Sequence, residues 1–286
     1  MTMRTILALG ALAAGAATST AGHAQGGFAP PELATEKVRD GIYMIRSGAS
    51  GNVTVLIADE GVVLIDDKFA MDHDGVMAEL RKVTDKPVLY VINTHLHLDH
   101  SGGNAAMQAI SAKVIAHENA RRTMTETQSS GLPNITLEEH LRLYHGEFVL
   151  DLYYLGRGHT DGDIVIHLPR QRVVVMGDLF ATWEPYVHLI HYAAGGSLRE
   201  WSRTLERALA LEFDTVIPGH SAVTTWAAFV EFGEFNKAFL DYTQAAKKAG
   251  KTVDQAAAEL KLPEKFKDYQ VGRAKTNVEA IYADLP

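Results

Sequence analysis

Val88 to Ile92 is an apolar run, and it gives way almost at once to His95-Leu96-His97-Leu98-Asp99-His100. This junction constrains the fold more than any other stretch. A buried strand ending there delivers three imidazoles and a carboxylate to one sheet edge. His95 and His97 stand two residues apart and can face the same way, while Asp99 and His100 follow on the turn. Buried polar groups of this kind each need a partner. A zinc ion, which imidazole nitrogen binds at about 2.1 Å, satisfies all of them together.

The same arrangement recurs at three other places. Gly156-Arg157-Gly158-His159-Thr160 follows the apolar run ending at Leu155, Gly177-Asp178 follows Val173–Met176, and Pro218-Gly219-His220 follows Thr215–Ile217. Each time a glycine lets the backbone turn and leaves a His or Asp at the strand tip. Four strand ends thus offer seven nitrogen or oxygen ligands. The chain has 13 histidines and no cysteine, so a metal site here must be built from His, Asp and Glu. Five histidines belong to the constellation. The others, among them His73, His117, His140, His145 and His167, lack such context and are expected to be surface or core residues.

Strand-like runs at Ile42–Ile45, Val53–Ile57 and Val62–Ile65 come early, and Asp59-Glu60-Gly61 marks a hairpin between the last two. Residues 73–83 carry Val76, Met77, Leu80 and Val83 at helical spacing. Helices are expected over 102–110 and 118–127, with a short strand at Val114-Ile115 between them. Phe148–Leu155, Ile164–Ile166 and Val173–Met176 read as strands, and residues 198–210 as an amphipathic helix. From about Trp226 the chain reads as helical, with Phe229, Phe232, Phe239, Tyr242 and Ala246 on one core-facing stripe that Gly250 stops. Alternating strands and helices, with hairpins mixed in, fit two sheets covered outside by helices.

The 286 residues carry a net charge of −8, with 47% hydrophobic and 22% charged residues. This is the composition of a folded globular chain. The acidic balance argues against a nucleic-acid partner, which calls for a basic face. Arg4, the short apolar run Ile6–Ala17 and the small residues around Gly22-His23-Ala24 read as a secretory signal peptide over residues 1–24. Residues 25–286 are then a single domain with a C-terminal helical extension from about 226, and Gln25–Glu36 a loose leader. The expected location is the periplasm or the medium, with no membrane association after cleavage. Nothing in the sequence fixes the oligomeric state.

With these residues in view, the chain resembles the metallo-β-lactamase superfamily over about residues 37–225. The likeness rests on His95-x-His97-x-Asp99-His100, Gly158-His159-Thr160, Gly177-Asp178 and Pro218-Gly219-His220, in the family's order. It implies an α/β fold of the αββα sandwich type, with two mixed sheets between outer helices and metals along one edge. It also implies that His95, His97 and His159 hold a first zinc, that Asp99, His100 and His220 hold a second, and that Asp178 bridges them. The ligand set is closer to the glyoxalase II-like pattern than to the zinc β-lactamases that place a cysteine on the second zinc. The substrate-anchoring lysine of those enzymes has no evident counterpart.

The expected chemistry is hydrolysis of an amide- or ester-type carbonyl bond by a hydroxide shared between two zinc ions, with Asp99 as the catalytic carboxylate that orients it and moves its proton. Thr94, Ser101, Thr160 and Asp161 are candidates for holding the imidazoles in place. Trp183, Tyr186, His188 and His191 are candidate groove walls, and residues 47–52 a candidate cover. A small-molecule substrate is expected. The exported location favours a β-lactam; a glyoxalase II-like thioester or a lactone or ester is the alternative. A reading of another class is a non-catalytic periplasmic metal-binding protein.

Overall fold

Val62-Val63-Leu64-Ile65 has no polar residue to turn toward water, and all four side chains are buried. A strand of this kind sits inside a sheet covered on both faces. In the computed structural model, which describes residues 32–47, 50–180, 194–269 and 271–285, it is the fourth strand of such a sheet. The chain divides into Met1–Pro30 and Pro31–Pro286, and only the second unit is described. The expected signal peptide, residues 48 and 49 of the expected cover, and the candidate wall residues Trp183, Tyr186, His188 and His191 lie outside the described residues.

The first sheet runs in sequence order: β1 (Ala34–Arg39), β2 (Ile42–Arg46), β3 (Val53–Ile57), β4 (Val62–Ile65), β5 (Val88–Ile92), β6 (Lys113–His117) and β7 (Ile135–Leu137). Strands β1 to β4 are antiparallel, and β4 to β7 are parallel. The second sheet comprises β8 (His140–His145), β9 (Phe148–Tyr153), β10 (Val165–Leu168), β11 (Val173–Gly177), β12 (Thr215–Pro218) and β13 (Thr224–Thr225), in the spatial order β13-β12-β11-β10-β9-β8. Only β11 and β12 pair in parallel there. Both sheets are mixed, as expected.

Helices α1 (His73–Arg81), α2 (Leu98–Ser101), α3 (Asn104–Ala109) and α4 (Glu118–Glu126) accompany the first sheet. Helices α5 (Leu198–Leu209), α6 (Trp226–Lys248), α7 (Val253–Ala258) and α8 (Ala274–Asp284) follow in the second half. Three apolar layers result. Val76 and Leu80 of α1 and Met107 of α3 pack on Val55, Leu64 and Val91. Between the sheets, Leu56, Val63, Ile65 and Ile92 meet Leu150, Ile166, Val175 and Ile217. On the far side Trp201, Leu205, Phe229, Phe232 and Phe239 cover Val174, Met176 and Val216. The order is therefore helix, sheet, sheet, helix. Each fully buried Val, Leu, Ile or Phe in these layers contributes roughly 1.5–3 kcal/mol.

Some expectations shift. Residues 34–36, read as leader, are the start of edge strand β1. Strand β8, with only one buried position, carries too little apolar pattern to be read from sequence. The helix expected over 102–110 is α3, and a further short helix, α2, precedes it at Leu98; Asp99 and His100 therefore ride on a helical turn rather than a loop. No helix among the described residues is long and apolar enough to cross a membrane.

Candidate metal centre

Parallel strands β4 and β5 of the first sheet, and β9, β11 and β12 of the second, deliver their C-terminal ends to one edge of the sandwich. The seven candidate ligands leave from there and gather into two groups, His95, His97, His159 and Asp178 in one, and Asp99, His100 and His220 in the other. In the first, His97 Nδ1 lies 3.0 Å from His95 Nε2 and 2.9 Å from His159 Nε2. In the second, His220 Nε2 lies 3.3 Å from both His100 Nε2 and Asp99 Oδ2. Asp178 divides between them. Its Oδ2 is 3.5 Å from His159 Nε2 and 3.9 Å from His95 Nε2, while its Oδ1 is 3.3 Å from His100 Nε2 and 3.4 Å from His220 Nε2.

Hydrogen bonds behind the rings fix which nitrogens face inward. Asp66, at the end of β4, accepts from the Thr94 amide at 2.7 Å and from the Thr94 hydroxyl at 2.8 Å. Having donated its hydrogen to Asp66, the Thr94 hydroxyl can only accept from His95 Nδ1, 3.1 Å away. His95 therefore presents an unprotonated Nε2 to the group. Asp66 Oδ2 also receives His100 Nδ1 at 2.8 Å. Carboxylate-held imidazoles of this kind are the usual supports of metal ligands.

The donor set fits metal ions. Tetrahedral bonds of about 2.0–2.1 Å space neighbouring ligand atoms by roughly 3.4 Å, close to the separations above. Asp178 Oδ1 is buried and makes no well-formed hydrogen bond; a cation on that side would satisfy it. The protonation pattern agrees. Burial, with the nearby imidazolium of His100, pushes the His95 pKa well down, so His95 is neutral. Burial opposes ionisation of Asp178, but His100 and His220 outweigh it and hold the carboxyl well below its usual range.

Two glycines are demanded by this packing. Gly177 has φ +51°, and a Cβ there would meet Thr94 Oγ1 at 2.4 Å. A Cβ on Gly219 would stand 2.1 Å from Asp178 Oδ1; Gly219 needs space rather than a special dihedral. Trp201, fully buried on α5, donates its indole N–H to the Leu179 carbonyl at 3.1 Å and backs onto His159 with ring centroids 6.1 Å apart. It thereby braces two of the ligand loops.

Of the candidate supports, Thr94 links Asp66 to His95. Thr160 is locked by Asp163, whose carboxylate accepts from the Thr160 amide at 2.8 Å and its hydroxyl at 2.6 Å. Asp161 pairs with Arg122 at 2.8 Å, and Ser101 caps its own turn on the Leu96 and His97 carbonyls. Sequence reasoning does not find Asp66, Asp163 or buried Lys68. The available signal is Asp66-Asp67-Lys68 directly after an all-apolar strand, three charges where a simple turn needs none. Of the remaining histidines, His117, His145 and His167 donate to the Glu138, Gly61 and Glu212 carbonyls, and His140 pairs with Asp151. A surface cavity of 760 Å³, lined in part by His117, Arg122 and Tyr154, contains none of the seven ligand candidates. The chemistry of the side chains, not the concavity, locates the site.

Residues 46–220 match the family model described as metallo-beta-lactamase superfamily. The chain is 26% identical over 198 residues to 2,4-dinitroanisole O-demethylase subunit alpha of Nocardioides sp. (strain JS1661), covering 66% of this chain and 58% of that one. It is 28% identical over 188 residues to metallo-beta-lactamase type 2 of Bacillus sp. (strain 170), covering 63% and 70%. The solved sec-alkylsulfatase Pisa1 from Pseudomonas sp. shares the fold at TM-score 0.71 and 19% identity, covering 88% of this chain and 50% of that one. The chain thus spans 58% and 50% of the length of two of these three proteins.

Proposed function

The chain belongs to the metallo-β-lactamase superfamily and is a metal-dependent hydrolase, and from that premise we propose that it holds two zinc ions and opens the amide of a β-lactam ring. The observation that carries the two-ion reading is Asp178, whose two oxygens face different ligand groups. His95, His97 and His159 would hold one ion, and Asp99, His100 and His220 the other. Bound there, a zinc pair supplies a nucleophilic water at neutral pH and Lewis acidity for the substrate carbonyl.

The chain's own residues do the rest. Asp66 and Thr94 turn Nε2 of His100 and of His95 inward. Asp99 is the more open of the two carboxylates facing the site, 23% exposed against 12% for Asp178. It orients the attacking water, takes its proton and returns it to the leaving atom. Burial opposes ionisation of Asp99, but the hydrogen bond with His220 and the nearby charges of His100 and His220 together outweigh it and keep the carboxyl below its usual range. Asp99 is therefore an anion able to accept that proton.

The β-lactam reading is supported by the likeness to the Bacillus protein and by the export signal read in residues 1–24. The second ligand group, made of His and Asp alone, favours a thioester or lactone as the alternative. Export to the periplasm or medium is part of the same proposal; amino-terminal sequencing of the mature protein from cell fractions tests it. For the reaction, zinc-loaded protein assayed on a penicillin, a carbapenem, a thioester and a lactone is expected to turn over the β-lactams best. Turnover of the thioester or lactone alone transfers the assignment to the alternative. Bound metal without turnover of any of the four favours a metal-binding protein.

A further inference from the structure

Lys68 is fully buried at the end of β4, where lysine is rarely found without a partner. No carboxylate lies within ion-pair distance of it among the described residues. Its ammonium instead donates to the Gly51 carbonyl, to Ser50 Oγ at 3.3 Å and to Ser47 Oγ at 3.4 Å. All three contacts fall on one segment, between β2 and β3. Lys68 and Asp66 both have left-handed backbones, with φ +63° and +64°. That conformation is disfavoured for side-chain-bearing residues, and here it aims Asp66 at His100 and Lys68 at the segment.

The segment touches the second ligand group directly. Gly51 lies flat against the His100 ring; a Cβ there would stand 2.4 Å from Cε1 and 2.7 Å from both ring nitrogens. Next to it, Asn52 grips the loop that carries His220. Its amide donates to the Gly219 carbonyl at 2.7 Å, and its side-chain Nδ2 donates to the Pro218 and Ser221 carbonyls, each at 2.9 Å. The ammonium also stands in the field of Asp66, Asp72 and Asp99.

We propose that Lys68 is a positioning residue for the Asp99–His100–His220 group, acting through Ser50–Asn52, which it holds against His100 and the His220 loop. The inference rests on the two-ion reading above. The hydrogen bonds of Lys68 and Asn52 and the close approach of Gly51 all fall on the side of His100 and His220, so the first ion should not sense their loss.

The test is stepwise binding of zinc, and of cobalt(II) for its visible spectrum, to metal-free wild-type protein and to Lys68→Met, with a competing chelator to set each constant. Lys68→Met is expected to weaken the second ion by roughly 10–100-fold, the usual effect of removing a ligand's support, and to leave the first within about twofold. A purely structural lysine would change melting temperature and weaken both ions together, or neither; either result overturns the proposal. If Lys68→Met does not fold, Asn52→Ala releases the same segment from its other side and should weaken the second ion with the same selectivity. A wild type that takes up one ion refutes the two-ion reading and this role with it. Two ions in the wild type and unchanged constants in both variants refute the role of Lys68 alone.

Discussion

Asp66 Oδ2 lies 2.8 Å from Nδ1 of His100 and turns the other ring nitrogen inward, to 3.3 Å from Nε2 of His220. Asp66 sits at the end of one strand, His100 on the helical turn after the next, and His220 on the loop that follows β12 of the opposite sheet. The carboxylate thus sets the tautomer and the aim of a ring that joins both halves of the sandwich. Asp66→Asn should keep the fold and weaken the second zinc by roughly 10–100-fold. Competitive titration with a chromophoric chelator reads this, and an unchanged second constant would contradict the role given to Asp66.

Asp178→Ala removes the carboxylate shared by the two ligand groups. The variant should carry less than two ions per chain in native mass spectrometry and lose most of its hydrolytic rate. Full occupancy with full turnover would refute the bridging role.

Gly219→Ala forces a methyl into the 2.1 Å gap beside Asp178 Oδ1. Overpacking of this kind costs about 1–3 kcal/mol. Because the displaced atom is a candidate ligand, activity should fall further than the melting temperature suggests. Wild-type kcat/KM in this variant would show that Asp178 need not hold its place.

Stability should respond to pH in opposite senses with and without metal. Burial opposes protonation of His100 and His220, but Asp178 with Asp66, and Asp178 with Asp99, outweigh it and raise both pKa values. A raised folded-state pKa gives stability that is present below the unfolded value of about 6.5 and is lost as pH climbs through the folded value. The metal-free protein should therefore melt at lower temperature as pH is raised above neutrality. Zinc needs these rings neutral, so the zinc-loaded protein should gain stability over the same range. Scanning fluorimetry across pH reads both curves; parallel curves would contradict the assignment of His100 and His220 as ligands.

Much of this architecture is legible in the sequence. Strands β4 and β11 are unbroken apolar runs, and His95, His159, Asp178 and His220 each follow a strand at a glycine or a tight turn, so residue type and position agree. The supports leave only the charged run Asp66-Asp67-Lys68 after an apolar strand as a mark. Asp66 and Asp163 act through hydrogen bonds to Thr94, His100 and Thr160, and only the fold brings Asp66 beside residues far along the chain. Lys68 looks like an ordinary turn charge, since burial of a single lysine leaves no periodic mark. Strands β1 and β8 escape a reading of the pattern because, as edge strands, they bury almost no side chain fully and carry no apolar run.

On the proposed reading, hydrolysis depends on two metal ions held by these seven residues. Turnover of a penicillin, a thioester and a lactone, measured as zinc is added back to chelator-treated protein, tests it most directly. No turnover is expected without metal, and the rate on at least one substrate should reach its plateau at two zinc ions per chain. Full activity in the metal-free protein, or a plateau at one ion, would contradict the claim.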